Sequence, residues 1–590
     1  MGEGLAISQM YATFPSAGDW FYLCTLLTIV RGPQSFVHLR TVDGILHETY
    51  RQACLAMGVL EDDGEWRLCL QEASIMQTGY TLRSLFSTIL LHNNPSRPEL
   101  LWTEFRQFIC DDLDYQLQRP PHNIAAPTND QIYDYGLFLI RERLAWAGQR
   151  METIAPGMPQ VEGHWVDPNA NPLIERQRAP NPNELRDQVE RDFPLLNNEQ
   201  MMAYTVIRAA YQSGEGGTFF IHGPGGCGKT FLYNVVTRTA RSEGKIVLCV
   251  ASSGIASMLL LLGATAHSTF KIPIPLMDDG ACRVEKQGFV ADLMRETTLI
   301  IWDEAGMMHR NGPEAVDRML RDIRDDDRPF GGVTTVFGGD FQQVLPVIPK
   351  GSREQIVRAC LHKSPLWHNT RIFFLTKNMQ LENNNDPATL NFANWLLDVG
   401  HGRLQGDSTS IRLPNHMKAG GDGKLPDLID AIYPNINQPQ AGPHPDTYFL
   451  DRVILSPRND DVHHINSKVI DKFPGQEKVY HSADRVLPED GVDDPVHNLP
   501  LEYLNSLNAS GLPISHLTLK VGAPLLILRN LSVQDGVCNG TRAVILELNN
   551  RVIKARILGG SHAGDIILIP RLNLTPSETG MLVLKFQIPF

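Results

Sequence analysis

The 590-residue sequence lacks the marks of several large protein classes. Its nine cysteines are scattered and odd in number, with no C-x-x-C pair, which argues against a disulfide framework or a zinc ribbon. The first residues contain no basic segment followed by an apolar one, so we expect no secretory signal and an intracellular location. With 42% hydrophobic and 20% charged residues, the composition is that of an ordinary globular protein of about three to five domains.

Positive charge is also scarce. The net charge of −13 has the wrong sign for a protein coated in nucleic acid. Residues 518–590 differ, because eight basic residues against four acidic ones give +4 there and leave −17 for the remainder. Such a local patch can hold a polyanion on an acidic body, although charge alone favours no partner.

One uncharged run, the 21 residues from Ile246 to Ala266, is long enough in principle to cross a bilayer. A Ser-Ser-Gly turn interrupts it, which favours a buried strand, a turn and a helix start in a soluble core. We therefore expect no association with a membrane.

Four segments follow one another along the chain. Residues 1–185 are predicted to form a mainly helical, linker-like region that ends in a proline-rich stretch. Residues 186–375 alternate strand-like and helical patterns, which is typical of a parallel sheet with crossover helices. Residues 376–516 indicate a second, less regular α/β unit, and residues 517–590 indicate a small barrel-like insert of short strands separated by turns.

The sequence GPGGCGKT matches the phosphate-binding pattern G-x-x-x-x-G-K-[ST], after an apolar strand and before a helix. Its glycines let backbone N–H groups converge on phosphates, while Lys229 reaches the β- and γ-phosphates and Thr230 ligates Mg²⁺. We interpret Cys227 as a small filler rather than a redox switch. The residues predicted to bind ATP here are Gly223, Pro224, Gly225, Gly226, Cys227, Gly228, Lys229 and Thr230.

Acidic and amide side chains follow other strands of the same region. Asp303 and Glu304 end the apolar run TLIIWDE, where Asp303 would hold Mg²⁺ through water and Glu304 would orient and deprotonate the attacking water. Asp340 and Gln343, in GGDFQQVLPV, would lie beside the γ-phosphate. Gln200 suits either the edge of an adenine or a polar helix start, and the sequence leaves both readings open.

These motifs, in this order, resemble the Pif-type, RecD-like DNA helicases of superfamily one, and above all the helicase region of Helitron-type transposon proteins. The resemblance extends from about residue 186 and includes VASSGIASMLLLLGATAHSTFKIP, FFLTKNMQL, ILSPRNDDVHHIN, LKVGAPLLILRNL and CNGTR. It implies an α/β fold with a RecA-like parallel-sheet motor domain, an incomplete second RecA-like domain carrying a small β-barrel insertion, and a helical N-terminal region.

The resemblance also implies a function. It implies an ATP-dependent helicase that uses Mg²⁺, translocates 5′ to 3′ on single-stranded DNA and unwinds duplexes at single-strand/double-strand junctions. It further implies a monomeric nuclear protein in DNA repair, recombination or telomere maintenance, or one derived from a transposon. Gln200 would contact adenine, Gln343 would sense the γ-phosphate, and the implied DNA contacts are Ser253, Gly254, Thr265, His267, Phe270, Lys520, Arg529 and Arg542. The alternatives are a core position for His267 and solvated surface for the three basic residues.

Two departures from this family pattern favour a competing hypothesis. Gln380 stands where an arginine that reaches the γ-phosphate is expected, and such a loss can cost about 10³-fold or more in rate. The chain ends at Phe590, before the last motifs of the family. The alternative is therefore a truncated or degenerate remnant that binds ATP and DNA with little turnover.

Two other activities are disfavoured by the sequence. None of the 19 histidines stands two residues from another, so the His-x-His nuclease site of full-length Helitron proteins is not expected. An unrelated phosphate-loop ATPase would explain the loop and Asp303-Glu304, but neither LKVGAPLLILRNL nor CNGTR.

Overall fold

The computed structural model divides the chain into two compact units. The first contains Met1–Leu144, Gln149–Trp165 and Ala419–Phe590, and the second contains Ala145–Gly148 and Val166–Lys418. The structure describes residues 19–589 except 31, 43, 58–62, 77, 94, 121, 164, 166–170, 274, 275, 277, 279, 349, 380, 382–385, 404–409, 412, 419–423, 438–443, 457, 487–511, 533, 561 and 575–582. In this described part, no helix is both long enough and apolar enough to cross a membrane. All nine cysteines are free, as expected from their spacing.

The N-terminal part of the first unit is mainly helical, as predicted. Its helices are α1 (Asp19–Ile29), α2 (Phe36–Leu39), α3 (Tyr50–Ala56), α4 (Asp63–Met76), α5 (Gly79–Asn93), α6 (Pro98–Ile109), α7 (Leu113–Leu117), α8 (Asn129–Trp146) and α9 (Met151–Ile154). Two short strands, β1 (Thr41–Val42) and β2 (Ile45–Leu46), form an antiparallel pair. Helix α6 begins with Pro98 at its first turn, a position where the missing N–H costs nothing. Its buried side chains Leu101, Trp102, Phe105 and Ile109 recur at helical spacing.

The second unit is the parallel α/β domain predicted for residues 186–375. Its helices are α10 (Pro172–Arg178), α11 (Pro182–Asp192), α12 (Asn198–Ser213), α13 (Lys229–Ser242), α14 (Gly254–Ser257), α15 (Ala266–Phe270), α16 (Phe289–Glu296), α17 (Asn311–Arg324), α18 (Arg353–Ala359) and α19 (Pro387–His401). Its strands are β3 (Gly217–His222), β4 (Ile246–Ala251), β5 (Ala264–Thr265), β6 (Thr297–Asp303), β7 (Thr334–Gly339) and β8 (Thr370–Phe374). They form one parallel sheet in the order β5-β4-β6-β7-β3-β8.

Apolar layers cover both faces of this sheet. Every residue of β4 and of β7 is buried, as expected for central strands of a parallel sheet. One layer contains Trp302 and Phe270, and the other contains Tyr233 and Val236 from α13. The 21-residue uncharged run thus forms a buried strand, a turn and a helix start, in β4, α14 and β5, as the sequence indicates.

The C-terminal part of the first unit is built on antiparallel strands. Its helices are α20 (Leu425–Ile432), α21 (Asp446–Leu450) and α22 (Asn459–Lys472). Its strands are β9 (Glu477–His481), β10 (Ala483–Val486), β11 (His516–Lys520), β12 (Pro524–Leu526), β13 (Arg542–Leu548), β14 (Val552–Ile557), β15 (Ile566–Pro570), β16 (Leu572–Leu574) and β17 (Val583–Gln587). They pair as β11-β9, β10-β17-β16 and β12-β13-β14-β15.

The α/β fold class is confirmed: a six-stranded parallel sheet with helices, a helical N-terminal region and a small antiparallel sheet domain. Within the described residues after 376, all strand pairs are antiparallel, so the second RecA-like domain stays a prediction. The three boundaries between the four segments are defined by sequence pattern rather than by packing, and they also stay predictions.

The helical N-terminal region and the antiparallel sheet share one core. Val552 of β14 and Leu568 of β15 belong to the same apolar cluster as Trp66 and Phe86 of the helices. Asp535 lies in the loop before β13 and accepts hydrogen bonds from the Tyr80 hydroxyl (2.6 Å), Ser84 (2.6 Å), Arg143 (2.8 Å) and Ser532 (2.7 Å). The region before residue 165 is therefore structurally continuous with residues that follow it by some 400 positions in the sequence.

Several basic side chains of the segment 518–590 form ion pairs inside this unit. Arg551 pairs with Glu65 at 2.5 Å, and Lys585 pairs with Asp484 at 3.0 Å, with all four side chains at most 5% exposed. Lys554 and Arg556 also contact carboxylates, those of Glu547 and Asp446. Four of the eight basic side chains of this segment are thus paired with acidic groups of the same unit.

The hydrogen bonds and the ion pair that Asp535 accepts lead to a prediction about stability. Replacing Asp535 with Asn leaves the largely buried Arg143 guanidinium without its counter-charge, so we expect the free energy of unfolding to fall by about 3 kcal/mol. Urea unfolding of the variant measures this loss. Asp565→Asn is the matched control, because Asp565 lies in the same segment but its carboxylate is exposed and pairs with the His562 ring at 3.1 Å.

The difference in stability between wild type and Asp535→Asn should also depend on pH. Burial raises the pKa of Asp535, but Arg143 and the hydroxyl donors outweigh burial and hold it at about 2, below the ordinary value of 3.8. A carboxylate with a depressed pKa stabilises the fold above the unfolded-state pKa, and that stabilisation is lost as the pH falls through the folded-state pKa. The stability difference between wild type and Asp535→Asn should therefore shrink between about pH 4 and pH 2, and a constant difference would contradict the assignment.

Candidate nucleotide-binding site

The phosphate loop joins the end of β3 to the start of α13, and two of its glycines adopt backbone angles that disfavour side chains. Gly226 and Gly228 have φ values of 81° and 79°, in the left-handed region. At Gly228 a Cβ atom would also overlap the Gln200 amide nitrogen. Only glycine fits this position, which lets the chain turn directly into the first turn of α13.

Lys229 begins α13, and its side chain folds back over the loop. Its ammonium donates hydrogen bonds to the carbonyl oxygens of Gly223 (2.6 Å) and Pro224 (3.2 Å), and the residue is 9% exposed. The helix N-terminus adds backbone N–H groups and the positive end of the helix dipole. The loop is therefore a concave, positively charged cradle suited to phosphate oxygens.

Gln200 braces this loop from α12. It forms a capping box with Asn197, whose backbone N–H donates to the Gln200 amide oxygen at 2.9 Å. Its amide nitrogen donates to the carbonyl oxygens of Cys227 (3.2 Å) and Gly228 (3.4 Å). The residue is 1% exposed, so the helix-start reading describes its position here, and an adenine contact stays a prediction.

Cys227 lies beneath the loop in the apolar layer beside α13. Burial raises the pKa of its thiol, with Lys229 acting in the opposite direction. A buried neutral thiol is a poor nucleophile, so the geometry agrees with the interpretation of Cys227 as a small filler.

Two carboxylates meet at the end of β6. Asp303 is 4% exposed, and its Oδ1 accepts the backbone N–H of Glu304 at 2.9 Å. Glu304 has a φ of 51°, an unfavourable left-handed conformation for a residue with a side chain, of the kind that concentrates at functional sites. Burial raises the pKa of both carboxyls, and each feels the opposing positive charge of Lys229. The phosphate-loop lysine and the carboxylate pair therefore share one electrostatic environment.

The next strand, β7, supplies the third element of the site. Asp340 follows it directly, is 8% exposed, and raises the pKa of Glu304. Its Oδ1 accepts the N–H of Gln342 at 2.9 Å, and its carbonyl accepts the N–H of Gln343 at 3.1 Å. The Gln343 side chain is exposed in this turn, so its proposed contact with a γ-phosphate stays a prediction.

Three features near the site carried no usable signal in the sequence. The amide of Gln342 contacts His401 at 2.9 Å and joins the loop after β7 to the end of α19. His222, the last residue of β3, feels the charges of Asp340 and Lys229. Tyr233 occupies an ordinary core position of α13 in the helical pattern. All three depend on contacts between segments far apart along the chain.

The residues predicted to border a DNA track lie after β4, near the same edge of the sheet. Ser253 and Thr265 act as local caps, with side-chain oxygens that accept N–H groups three residues on. Gly254 begins the short helix α14, and His267 is part-exposed with a pKa lowered by burial. Phe270 is fully buried and stacks on Trp302 with ring centroids 5.4 Å apart, so its ring is part of the core, and a DNA contact at this residue stays a prediction.

The three basic residues assigned to the DNA backbone also have protein partners. Lys520 is 8% exposed and donates to the carbonyl of Phe473 at 2.9 Å. Arg542 donates to the carbonyls of Phe449 and Leu450. Burial lowers the pKa of Arg529. Lys520 and Arg542 thus donate to backbone carbonyls of their own unit, and DNA contacts at the three residues stay a prediction.

The donor set of the site fits Mg²⁺. Hard divalent cations prefer oxygen ligands, and Mg²⁺ is commonly held by one or two protein groups together with substrate phosphates. The Thr230 hydroxyl and the Asp303 carboxylate offer such oxygens next to Lys229. Clusters of three or more His, Cys, Asp or Glu that would suit another metal are absent from the described residues.

Two family models match the chain. Residues 195–410 match the PIF1-like helicase model, and residues 502–548 match the model of the 2B domain of DNA helicase Pif1. The first interval contains the phosphate loop, both carboxylates and Gln343.

The chain is also similar to curated proteins and solved structures that are named Pif1. ATP-dependent DNA helicase Pif1 of Psychrobacter sp. is 25% identical over 56% of this chain and 44% of its own length, and PIF1 of Candida albicans is 24% identical over 68% and 39%. The chain thus spans less than half the length of these relatives. A crystal structure of Bacteroides Pif1 bound to ssDNA is 22% identical, covering 67% of this chain and 80% of that one with a TM-score of 0.47. Over residues 195–410 the chain is therefore similar to the PIF1-like helicase family.

Proposed function

We propose that this protein is an ATP-dependent DNA helicase, which couples ATP hydrolysis to 5′-to-3′ translocation on single-stranded DNA and to unwinding at single-strand/double-strand junctions. The observation that carries the proposal is the convergence of Lys229, Asp303, Glu304 and Asp340 at the carboxyl ends of three neighbouring parallel strands. Action as a monomer and a nuclear location belong to the same proposal.

The phosphate loop binds and orients the nucleotide. Lys229 exchanges its two carbonyl partners for phosphate oxygens, and the N–H groups at the start of α13 hold the same phosphates. Mg²⁺ supplies charge neutralisation at the β- and γ-phosphates when bound, and Thr230 and Asp303 are the residues that would hold it. Positioning and electrostatic stabilisation supply most of the catalysis in phosphoryl transfer.

Glu304 is suited to the general-base role. Its pKa is raised by burial and by Asp303 and Asp340, which makes the carboxylate a better proton acceptor near neutral pH. Its left-handed backbone directs the chain away from β6 immediately after Asp303. A proton taken from the attacking water would reside on the Glu304 carboxyl.

A backbone contact links the catalytic strand to the segment assigned to DNA. The N–H of Ser252, directly after β4, donates to the carbonyl of Asp303 at 3.2 Å. The Trp302 indole donates to the Ser252 hydroxyl at 3.4 Å. Movement of Asp303 during hydrolysis would therefore be transmitted to the loop containing Ser253 and Gly254. This connection supports coupling between ATP turnover and the DNA track.

The competing function is an ATP- and DNA-binding remnant with little turnover. Gln380 favours it, because a neutral amide cannot replace the guanidinium expected at that position. Gln380 itself lies outside the described residues. ATP turnover with and without single-stranded DNA separates the two functions, since a motor is stimulated by DNA and a remnant binds without hydrolysis.

Lys229→Ala should lower ATP turnover by about a hundredfold or more, because the variant loses the cation that stabilises transition-state charge. The fold should remain intact, since among the described residues the Lys229 ammonium hydrogen-bonds only to two loop carbonyls and, at 4.0 Å, to the Cys227 sulfur. Steady-state phosphate release measures the loss. Lys245→Ala, an exposed lysine beyond the other end of α13, should retain full activity. Unchanged turnover in Lys229→Ala would remove the proposed site.

Glu304→Gln should lower turnover by roughly 10²–10⁴-fold and yet raise the melting temperature of the nucleotide-free protein. A carboxyl with a raised pKa destabilises the fold as the pH rises from its unfolded to its folded pKa, and the amide is free of that penalty. Calorimetry and phosphate release test the two effects. Glu354→Gln, at an exposed glutamate, should change neither. A lower melting temperature for Glu304→Gln would contradict the burial argument.

DNA binding should favour single strands over blunt duplex and weaken with salt, because backbone contacts and stacking along a groove hold a single strand. Fluorescence anisotropy with a labelled oligonucleotide, alone and annealed, measures both trends. Equal affinity for the two forms would contradict a single-strand track.

A further inference from the structure

Tyr233, in the second turn of α13, has a buried hydroxyl without a hydrogen-bond partner among the described residues. The residue is 1% exposed and packs in the apolar layer that contains Phe219 and Val236. An unpartnered buried hydroxyl destabilises a fold, whereas phenylalanine would fill the same space without that penalty. Packing alone therefore does not account for a tyrosine at this position.

The sheet leaves a space for this hydroxyl at Gly338 of β7. A Cβ atom at Gly338 would overlap the Tyr233 oxygen and would lie 3.4 Å from Asp303 Oδ1. The hydroxyl thus occupies the place of the missing side chain, between β7 and the carboxylate at the end of β6. The tyrosine at 233 and the glycine at 338 are therefore complementary in size.

The hydroxyl is a donor in this environment. Burial raises the pKa of Tyr233 well above its usual 10, and Asp303, Cys227 and Glu304 raise it further. A neutral phenol beside a carboxylate can stabilise it only by donating a hydrogen bond. Asp303 has acceptor capacity to spare, since within the described residues its carboxylate accepts one hydrogen bond, from the backbone N–H of Glu304.

Resting on the nucleotide site proposed above, we propose that the Tyr233 hydroxyl is a positioning group of the Mg²⁺–nucleotide site, donating a hydrogen bond to a water molecule that the Asp303 carboxylate also holds. Tyr233 touches neither the nucleotide nor the reacting atoms. It orients Asp303 from behind, and its hydroxyl, which has no partner among the described residues, gains an acceptor when the site fills. Removal of such a supporting partner typically lowers metal affinity by roughly 10- to 100-fold.

The test compares Tyr233→Phe with Tyr204→Phe in binding of a fluorescent ADP across a Mg²⁺ titration. Tyr204 is a matched control, because it is also buried in the same layer but its hydroxyl already donates to Thr239 at 3.2 Å. For Tyr233→Phe we expect unchanged ADP affinity without Mg²⁺ and a Mg²⁺ midpoint at least about tenfold higher. Tyr204→Phe should keep the wild-type midpoint.

Thermal melting of the nucleotide-free proteins gives a second readout. Tyr233→Phe should melt at or above the wild-type temperature, because it loses an unsatisfied group. Tyr204→Phe should melt lower, because Thr239 loses one of its two hydrogen-bond partners and keeps only the Val235 carbonyl. A wild-type Mg²⁺ midpoint for Tyr233→Phe, or a melting temperature clearly below wild type, would overturn the inference.

The two proposals fail in different ways. A wild-type chain that binds ADP in a Mg²⁺-dependent manner but does not hydrolyse ATP would contradict the helicase function and leave the role of Tyr233 standing. If the ADP affinity of the wild type did not depend on Mg²⁺, the proposed role of Tyr233 would be overturned.

Discussion

The register of the parallel sheet is the constraint on which the site depends. Parallel pairing aligns His222 at the end of β3 with Gly339 at the end of β7, and Ala251 at the end of β4 with Asp303 at the end of β6. The residues that follow these strands must therefore emerge at one edge of the sheet. The phosphate loop, the two carboxylates and Asp340 lie close together because the backbone hydrogen bonds between the strands align the strand ends from which they emerge.

The site concentrates unfavourable features that the surrounding core sustains. Glu304 has a left-handed backbone, Asp303 is a buried carboxylate with a raised pKa, and Tyr233 has an orphaned hydroxyl. Each would relax if its neighbours could move. The fully buried strands β4 and β7 and the packed face of α13 prevent this, so the energy gained in the core maintains a site preorganised for charged ligands.

In the other compact unit, the net charge of a segment does not show which of its charged side chains are paired. The excess of lysine and arginine after residue 518 is consistent with a polyanion site when counted along the sequence. In space, Arg551 and Lys585 form buried pairs with Glu65 and Asp484, and Arg143 from the helical region meets Asp535. The net charge of a segment does not show whether its side chains pair with acidic residues hundreds of positions away. Buried ion pairs depend on such distant partners.

By itself, the sequence determined the alternating strands and helices of the parallel domain, the phosphate loop, and the carboxylate pair after an apolar run, because those features are encoded within a few consecutive residues. It did not determine that Gln200 braces the loop, that Phe270 is buried against Trp302, or that Tyr233 lies behind Asp303. Nor did it show that the helical N-terminal region shares a core with the antiparallel sheet. Only the tertiary structure decided these points, since each is a contact between segments distant in the chain and depends on which faces of packed elements meet.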